Sequence, residues 1–401
     1  MTYPTIMPAL TLDFQNSQQL DPRVTFSRSS SATYINSAGL VVSAAEHEPR
    51  FDHDGNGECL GLLVEESRTN HCLYSDVDPT NWFENGTSSL AVSSVPAPDG
   101  GTCYDLTTDT GGPNSVRQRS NTSAPVGTSV LSVFARFPNA GFTSLAIRNF
   151  SAGGGANYYA DYRPATDSWH GEIACTGLPS EDLGNGWKRL TIVSTVTSSN
   201  GNNWVNIGGG ANSPAFTQQT CQIWGAQLEQ GSFGTSYIPT AGSTVTRSQE
   251  IAKITNDNFS SWYNQSEGVI VASVETPETN NSVFVYAISD GTNDERISHQ
   301  VRDIKTYLVD VGGSGVVGLQ FPGIYTANVR GNSASAYKPN DFAFVFNGEV
   351  KGADTVNSLL PSVDRMSIMC SQTLGNQLSG HISRLTYYSR RLTDSELETL
   401  T

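Results

Sequence analysis

The stretch DFAFVFNGEV (residues 341–350) restricts the fold more than any other part of the sequence. Phe342, Phe344 and Phe346 alternate with Ala343 and Val345, and a period of two puts successive side chains on opposite faces of a strand. Asn347-Gly348 follows, a pair suited to the positive φ angles of a type I′ hairpin turn. The same pattern recurs along the chain in SVLSVFARF, GWKRLTIVSTV, NWVNI, GVIVASVE and SVFVYAIS, and in ATYINSAGLVV an NSAG step separates two apolar runs. Abundant Ser, Thr and Asn, 38 glycines and only 15% charged residues suit strands and tight turns. One helix is predicted, in RLTDSELETL. Thr393 and Glu396 form a capping box there, and Leu392 and Leu397 a hydrophobic staple, making a short lid on a sheet edge or barrel end. The predicted fold class is all-β: a β-rich N-terminal region followed by two β-sandwiches.

With 401 residues the chain can hold two or three cores. The pattern divides into residues 1–70, 71–242 and 243–401, with the polar seam AGSTVTRSQE (residues 241–250) before the third region. A net charge of −15 without a basic stripe argues against a nucleic-acid partner. No run of 18 apolar residues occurs, so no membrane-spanning helix is predicted. The start, MTYPTIMPALTLDF, lacks the basic and apolar regions of a signal peptide, which predicts synthesis in a bacterial cytoplasm and use elsewhere. Six cysteines form no CxxC or Cys/His cluster and read as buried apolar residues, with Cys103 and Cys221 a pair that could form a bridge.

Residues 49–58, PRFDHDGNGE, look at first like a calcium loop. Counting from Asp52, however, the twelfth position is Leu63, where an EF-hand type loop needs a bidentate Glu. Asp54-Gly55-Asn56-Gly57 has instead the chemistry of a hairpin turn. No cofactor is expected, with calcium left open. Catalytic patterns are equally weak. Asp290, Asp294 and Glu295 read as a solvated loop, and Asp394, Glu396 and Glu398 as helix cap and surface. Ser298-His299-Gln300 is only an echo of a polysaccharide-lyase strand, and Val77 breaks the sialidase-like pattern in SDVDPTNW. The chain is not expected to be an enzyme.

Residues 20–70 resemble a segment found in bacteriophage tail-fibre, head-fibre and spike proteins. Phe26, Arg28, Ser29, Ala32, Thr33, Tyr34, Pro49, Arg50, Phe51, Asp52, Asp54, Leu60 to Leu63, Glu65, Glu66, Arg68, Thr69 and Asn70 carry the likeness. The middle region resembles carbohydrate-binding-like jelly rolls through Gly186-Trp187-Lys188-Arg189 and WGAQLEQGSFGTSYIPT (residues 224–240), with Trp187 and Trp224 as core residues. The third region, ending HISRLTYYSRRLTDSELETL, resembles concanavalin-like or laminin-G-like lectin folds. These resemblances imply a virion structural protein, a capsid spike, head fibre or tail fibre. Residues 1–70 would attach it to other virion proteins and to sister chains in a homotrimer on the virion surface. The alternative is a phage-borne polysaccharide depolymerase, either glycosidase or lyase.

Sugar recognition uses aromatic faces against the ring and planar polar groups for its hydroxyls. The glycan-binding candidates are Trp82, Tyr159, Trp169 and Trp204 in the middle region, with Tyr158 and Tyr162 nearby. In the third region they are Trp262, Tyr263, Asn293 and Arg302, with Tyr307, Tyr325 and Asn347 nearby. Each aromatic competes with a plain role in the core. The acidic charge favours neutral glycans or calcium-bridged contacts over direct attraction to an anionic capsule.

Overall fold

The computed structural model describes residues 4–85, 88–108, 116–121, 125–139, 144–151, 156–197, 203–209, 219–279, 281–301 and 306–401. The fold is all-β, about 52% strand and 4% helix, and antiparallel pairing builds four large sheets. In the middle sandwich a seven-stranded sheet has Trp187–Val196, Gly127–Arg136 and Gln219–Gln230 at its centre. It faces a six-stranded sheet in which Ala156–Arg163, Leu145–Ser151 and Asn203–Gly209 lie side by side. Leu131, Val133, Ile147, Tyr162, Leu190, Ile207 and Ile223 fill the space between the two. Trp187 and Trp224 are buried in an adjoining cluster, as expected.

In the outer sandwich the two-residue alternation of DFAFVFNGEV works on both faces. Phe342, Phe344 and Phe346 enter the inter-sheet core, whereas Ala343 and Val345 lie under the C-terminal helix Asp394–Leu400. Asn347 and Gly348 adopt φ values of 48° and 76° in the turn. The helix carries the predicted capping box, with Thr393 N–H donating to Glu396 Oε2 at 2.8 Å and Glu396 N–H to Thr393 Oγ1 at 3.3 Å. Leu392 and Leu397 are both buried beneath it.

Residues 1–70 are not a region apart. Strands Leu10–Asp13, Arg50–His53 and Cys59–Val64 belong to the eight-stranded sheet of the outer sandwich, and Thr25–Ser27 belongs to its seven-stranded sheet. Both chain ends therefore build one sandwich, and the middle sandwich is inserted between them. The chain enters and leaves the insertion through a two-stranded ribbon in which Arg68–Asn70 pairs with Val245–Arg247. The reason is the apolar run of Cys59–Val64, which gains burial only by joining a larger sheet: Leu62 and Val64 reach the outer core.

The residues that carry the N-terminal resemblance meet behind this ribbon in a buried ion-pair cluster. Arg50 reaches Glu250 through Nε (2.8 Å) and Nη2 (2.6 Å), and Glu65 through Nη2 (2.7 Å). Arg28 donates to Glu250 at 2.7 Å, and Arg247 lies 3.4 Å from Glu65. The middle sandwich joins through Ser236, whose N–H and hydroxyl donate to Glu65 at 2.7 and 2.6 Å.

The acidic loop at residues 52–58 is a hairpin turn. Asp54 Oδ1 accepts from Asn56 N–H and Glu58 N–H, both at 2.9 Å. Asp52 is held elsewhere, by Ile35 N–H at 2.6 Å and His381 Nε2 at 2.9 Å. Among the described residues no three His, Cys, Asp or Glu side chains are grouped to share a metal ion. The Cys103–Cys221 bridge does not form, and all six cysteines are free thiols. Cys221 lies opposite Leu106, three residues along its strand from Cys103, about 10 Å away and beyond the reach of a disulfide.

Candidate functional site

Most of the sequence-predicted candidates are structural. Trp82 is 1% exposed in the middle core and donates to the Tyr74 carbonyl at 2.8 Å. Trp262 is buried and donates to the Asn258 carbonyl at 2.7 Å. Tyr263 stacks on Phe259, Tyr337 and Tyr387. Trp169 donates to the Leu178 carbonyl at 2.7 Å, meets Tyr162 edge-on, and sits against the bare backbone of Gly177. Tyr158, Tyr162, Tyr307 and Tyr325 are buried too. The reason is common to all: an aromatic ring stabilises most when its large apolar area leaves water, and its single N–H or O–H needs only one partner there. Asn293 is exposed, but its side-chain oxygen is occupied by Gln372 and by Arg296 at 3.4 Å. Arg302 lies outside the described residues.

Tyr159 and Trp204 differ, because the register brings them to one face. Leu145 and Ile147, Ala160 and Tyr162, and Val205 and Ile207 point into the middle core. The residues alternating with them therefore form the outward face of the six-stranded sheet. Arg148 stands opposite Tyr159 on one side and Asn206 on the other. Its guanidinium carbon lies 5.1 Å from the centre of the Tyr159 ring. Trp204 is two residues from Asn206 on the same strand and thus on the same face. In the neighbouring row Asp161 faces His170 on one side and Ala146 on the other, and Ala146 faces Gly208. Ala146 and Gly208 raise almost no side chain, and with Asp161 they are buried.

The polar groups of this face are not all satisfied. Among the described residues, Arg148 Nε and Nη2 and Asn206 Oδ1 are buried and find no hydrogen-bond partner. Burial lowers the pKa of Arg148, an effect only partly offset by the charge of Asp161 and by Tyr159. Leaving a buried donor or acceptor unpaired costs about 1–3 kcal/mol. Three such atoms beside Tyr159, on the sheet face that also carries Trp204, make a face whose missing partners are oxygen acceptors and a hydroxyl donor. A sugar offers both, and its C–H face can lie on an aromatic ring. Arg148, Asp161 and Asn206 are not among the sequence candidates. The available signal was a charged residue inside the apolar alternation of LAIRNF, which marks the outward face of a sheet once the register is known.

No protein-family model and no curated protein matches the chain. Solved β-rich structures resemble parts of it. Domain 4 of an extracellular GH43 arabinanase from Geobacillus stearothermophilus, solved with arabinotriose, is 12% identical. That match covers 43% of this chain and 82% of the other, with a TM-score of 0.32. The CBM40 domain of the Ruminococcus gnavus IT-sialidase is 18% identical over 34% of this chain and 84% of its own, at a TM-score of 0.28. The receptor-binding domain of botulinum neurotoxin type G is 12% identical over 38% of this chain and 39% of its own, at 0.29.

Proposed function

We propose that the chain is a non-enzymatic surface protein of a bacteriophage particle, a capsid spike, head fibre or tail fibre, and that its middle sandwich binds polysaccharide. The observation that carries the binding role is the edge of Arg148 beside Tyr159, unpaired among the described residues, with the unpaired Asn206 oxygen on the next strand and Trp204 two residues further along it. The particle address rests on the resemblance of residues 20–70 to phage structural proteins. A shallow face holding one or two sugar rings gives roughly a millimolar constant, about 4 kcal/mol. Display as a homotrimer in many copies raises apparent affinity by roughly 10² to 10⁴ where the copies engage together.

The binding test is a glycan array with the oligomer, in parallel with Arg148→Ala and Tyr159→Ala. Loss of signal by tenfold or more in both variants supports the site, and unchanged signal removes it. Oligosaccharide release during incubation with host polysaccharide would turn the reading to a depolymerase. Mass spectra of separated heads and tails that lacked the chain would defeat the particle address. A monomer by light scattering at micromolar concentration would count against the trimer.

A further inference from the structure

The outer sandwich holds a second polar site. A cavity of about 340 Å³ lies on the outward face of the eight-stranded sheet, inside the range of roughly 300–1,000 Å³ typical of small-ligand sites. Register explains its floor. Asp13 pairs with Arg384, Arg384 with Ser273, and Ser273 with Asn332. Four polar residues therefore stand in one row across four strands, while their strand neighbours Leu12, Ala272 and Leu385 face the core. Arg330 and Tyr388 also line the cavity.

The charges in this row are unequally committed. Asp13 caps the short helix Phe14–Ser17, accepting from Asn16 N–H at 3.2 Å and from its side-chain amide at 2.9 and 3.0 Å. Although Asp13 is opposite Arg384 in register, the bonds among the described residues run from Asp13 to Asn16 and from Arg384 to Thr386. Among the described residues Arg384 uses only Nε, donating to Thr386 Oγ1 at 3.1 Å, and neither terminal nitrogen has a partner there. Arg330 is pinned by Gln15 Oε1 at 3.0 Å and the Leu60 carbonyl at 3.2 Å. Two guanidiniums thus border a cavity whose one carboxylate is already occupied.

We infer that this cavity binds a carboxylate-bearing sugar, such as a uronate unit of an acidic polysaccharide. The terminal nitrogens of Arg384 form a fork that matches a carboxylate in two parallel hydrogen bonds. Ser273, Asn332 and Thr386 meet the ring hydroxyls. The overall charge of −15 favours neutral glycans at a distance, but exposed charges beyond roughly 8 Å are screened at physiological salt. At contact the local guanidiniums outweigh it. The site stands independently of the Arg148 face, so either can fail without the other.

The test is calorimetric titration of the full chain with glucuronate, glucose and inorganic phosphate. Glucuronate is expected to bind with roughly a millimolar constant, and glucose and phosphate at least tenfold more weakly. Arg384→Ala is expected to lower glucuronate affinity at least tenfold, with unchanged thermal unfolding because Arg384 is exposed. Arg384→Gln, which keeps a long polar stem, gives the same readout if the alanine variant folds poorly. Arg148→Ala should leave glucuronate binding intact. Equal affinity for glucose, phosphate binding as strong as glucuronate, indifference to Arg384 substitution, or no heat from glucuronate at tens of millimolar would each overturn the inference.

Discussion

Glu65 shows how single residues hold this chain together. Burial alone would raise its pKa, but Arg247, Arg50 and the bonds from Ser236 overcome that effect and hold the carboxyl well below its ordinary 4.5. A depressed carboxylate pKa stabilises the fold above the unfolded value and loses that contribution as pH falls through the folded value. Acid unfolding should therefore steepen below about pH 4.5, and Glu65→Gln should flatten that limb. Removing one partner of a buried pair costs about 3–5 kcal/mol, so chemical denaturation of Glu65→Gln or Arg50→Ala should show a loss of that order. Arg148 predicts the reverse. Its buried, unpaired nitrogens cost roughly 1–3 kcal/mol, so Arg148→Met should unfold at an equal or higher temperature while losing glycan binding. An arginine with a purely structural task would destabilise the fold when replaced. Arg28, Arg50 and Glu65 stand out in the sequence, but their partners Glu250 and Ser236 lie 171 to 222 residues away, and no local pattern points to them.

Hairpins and caps follow from neighbouring residues, and these elements match the sequence closely. The turns at Asn347-Gly348 and Asp54–Gly57 and the box at Thr393 depend on contacts within a few residues. Thr393→Ala should cost about 1 kcal/mol in a denaturant titration. His299, on the strand Arg296–Val301, carries a pH effect instead of a catalytic one. Its ring meets Tyr325 at 3.1 Å and Ser333 at 3.2 Å, with Tyr286 and Phe344 edge-on, all uncharged neighbours. Burial pushes its pKa down from 6.5 to about 3. Stability from this group is complete above the unfolded value and declines below it, because only the unfolded chain takes up the proton. A slope of up to about 1.4 kcal/mol per pH unit should open below pH 6.5. His299→Gln should remove that slope, as measured by urea unfolding at pH 7, 6 and 5.

At the scale of the whole molecule, strands from both chain ends share the outer sandwich. Deleting residues 1–64 would take three strands from the eight-stranded sheet and one from the seven-stranded sheet. The product should aggregate or unfold without a cooperative transition, as read by near-ultraviolet circular dichroism. A well-folded truncation would contradict the shared sandwich. Loss of particle attachment in such a truncation would therefore report unfolding, and surface substitutions are the cleaner probe. The sequence by itself determined the all-β class, the turns and the terminal helix, because period, turn chemistry and capping act over a few residues. Only the tertiary structure decided that the N-terminal segment completes the C-terminal sandwich, that Trp82 and Trp262 are core, and that Arg148 and Arg384 stand on the sheet faces turned away from the cores. Strand order and register bring together residues hundreds of positions apart, and burial is a property of that assembly and not of any one segment.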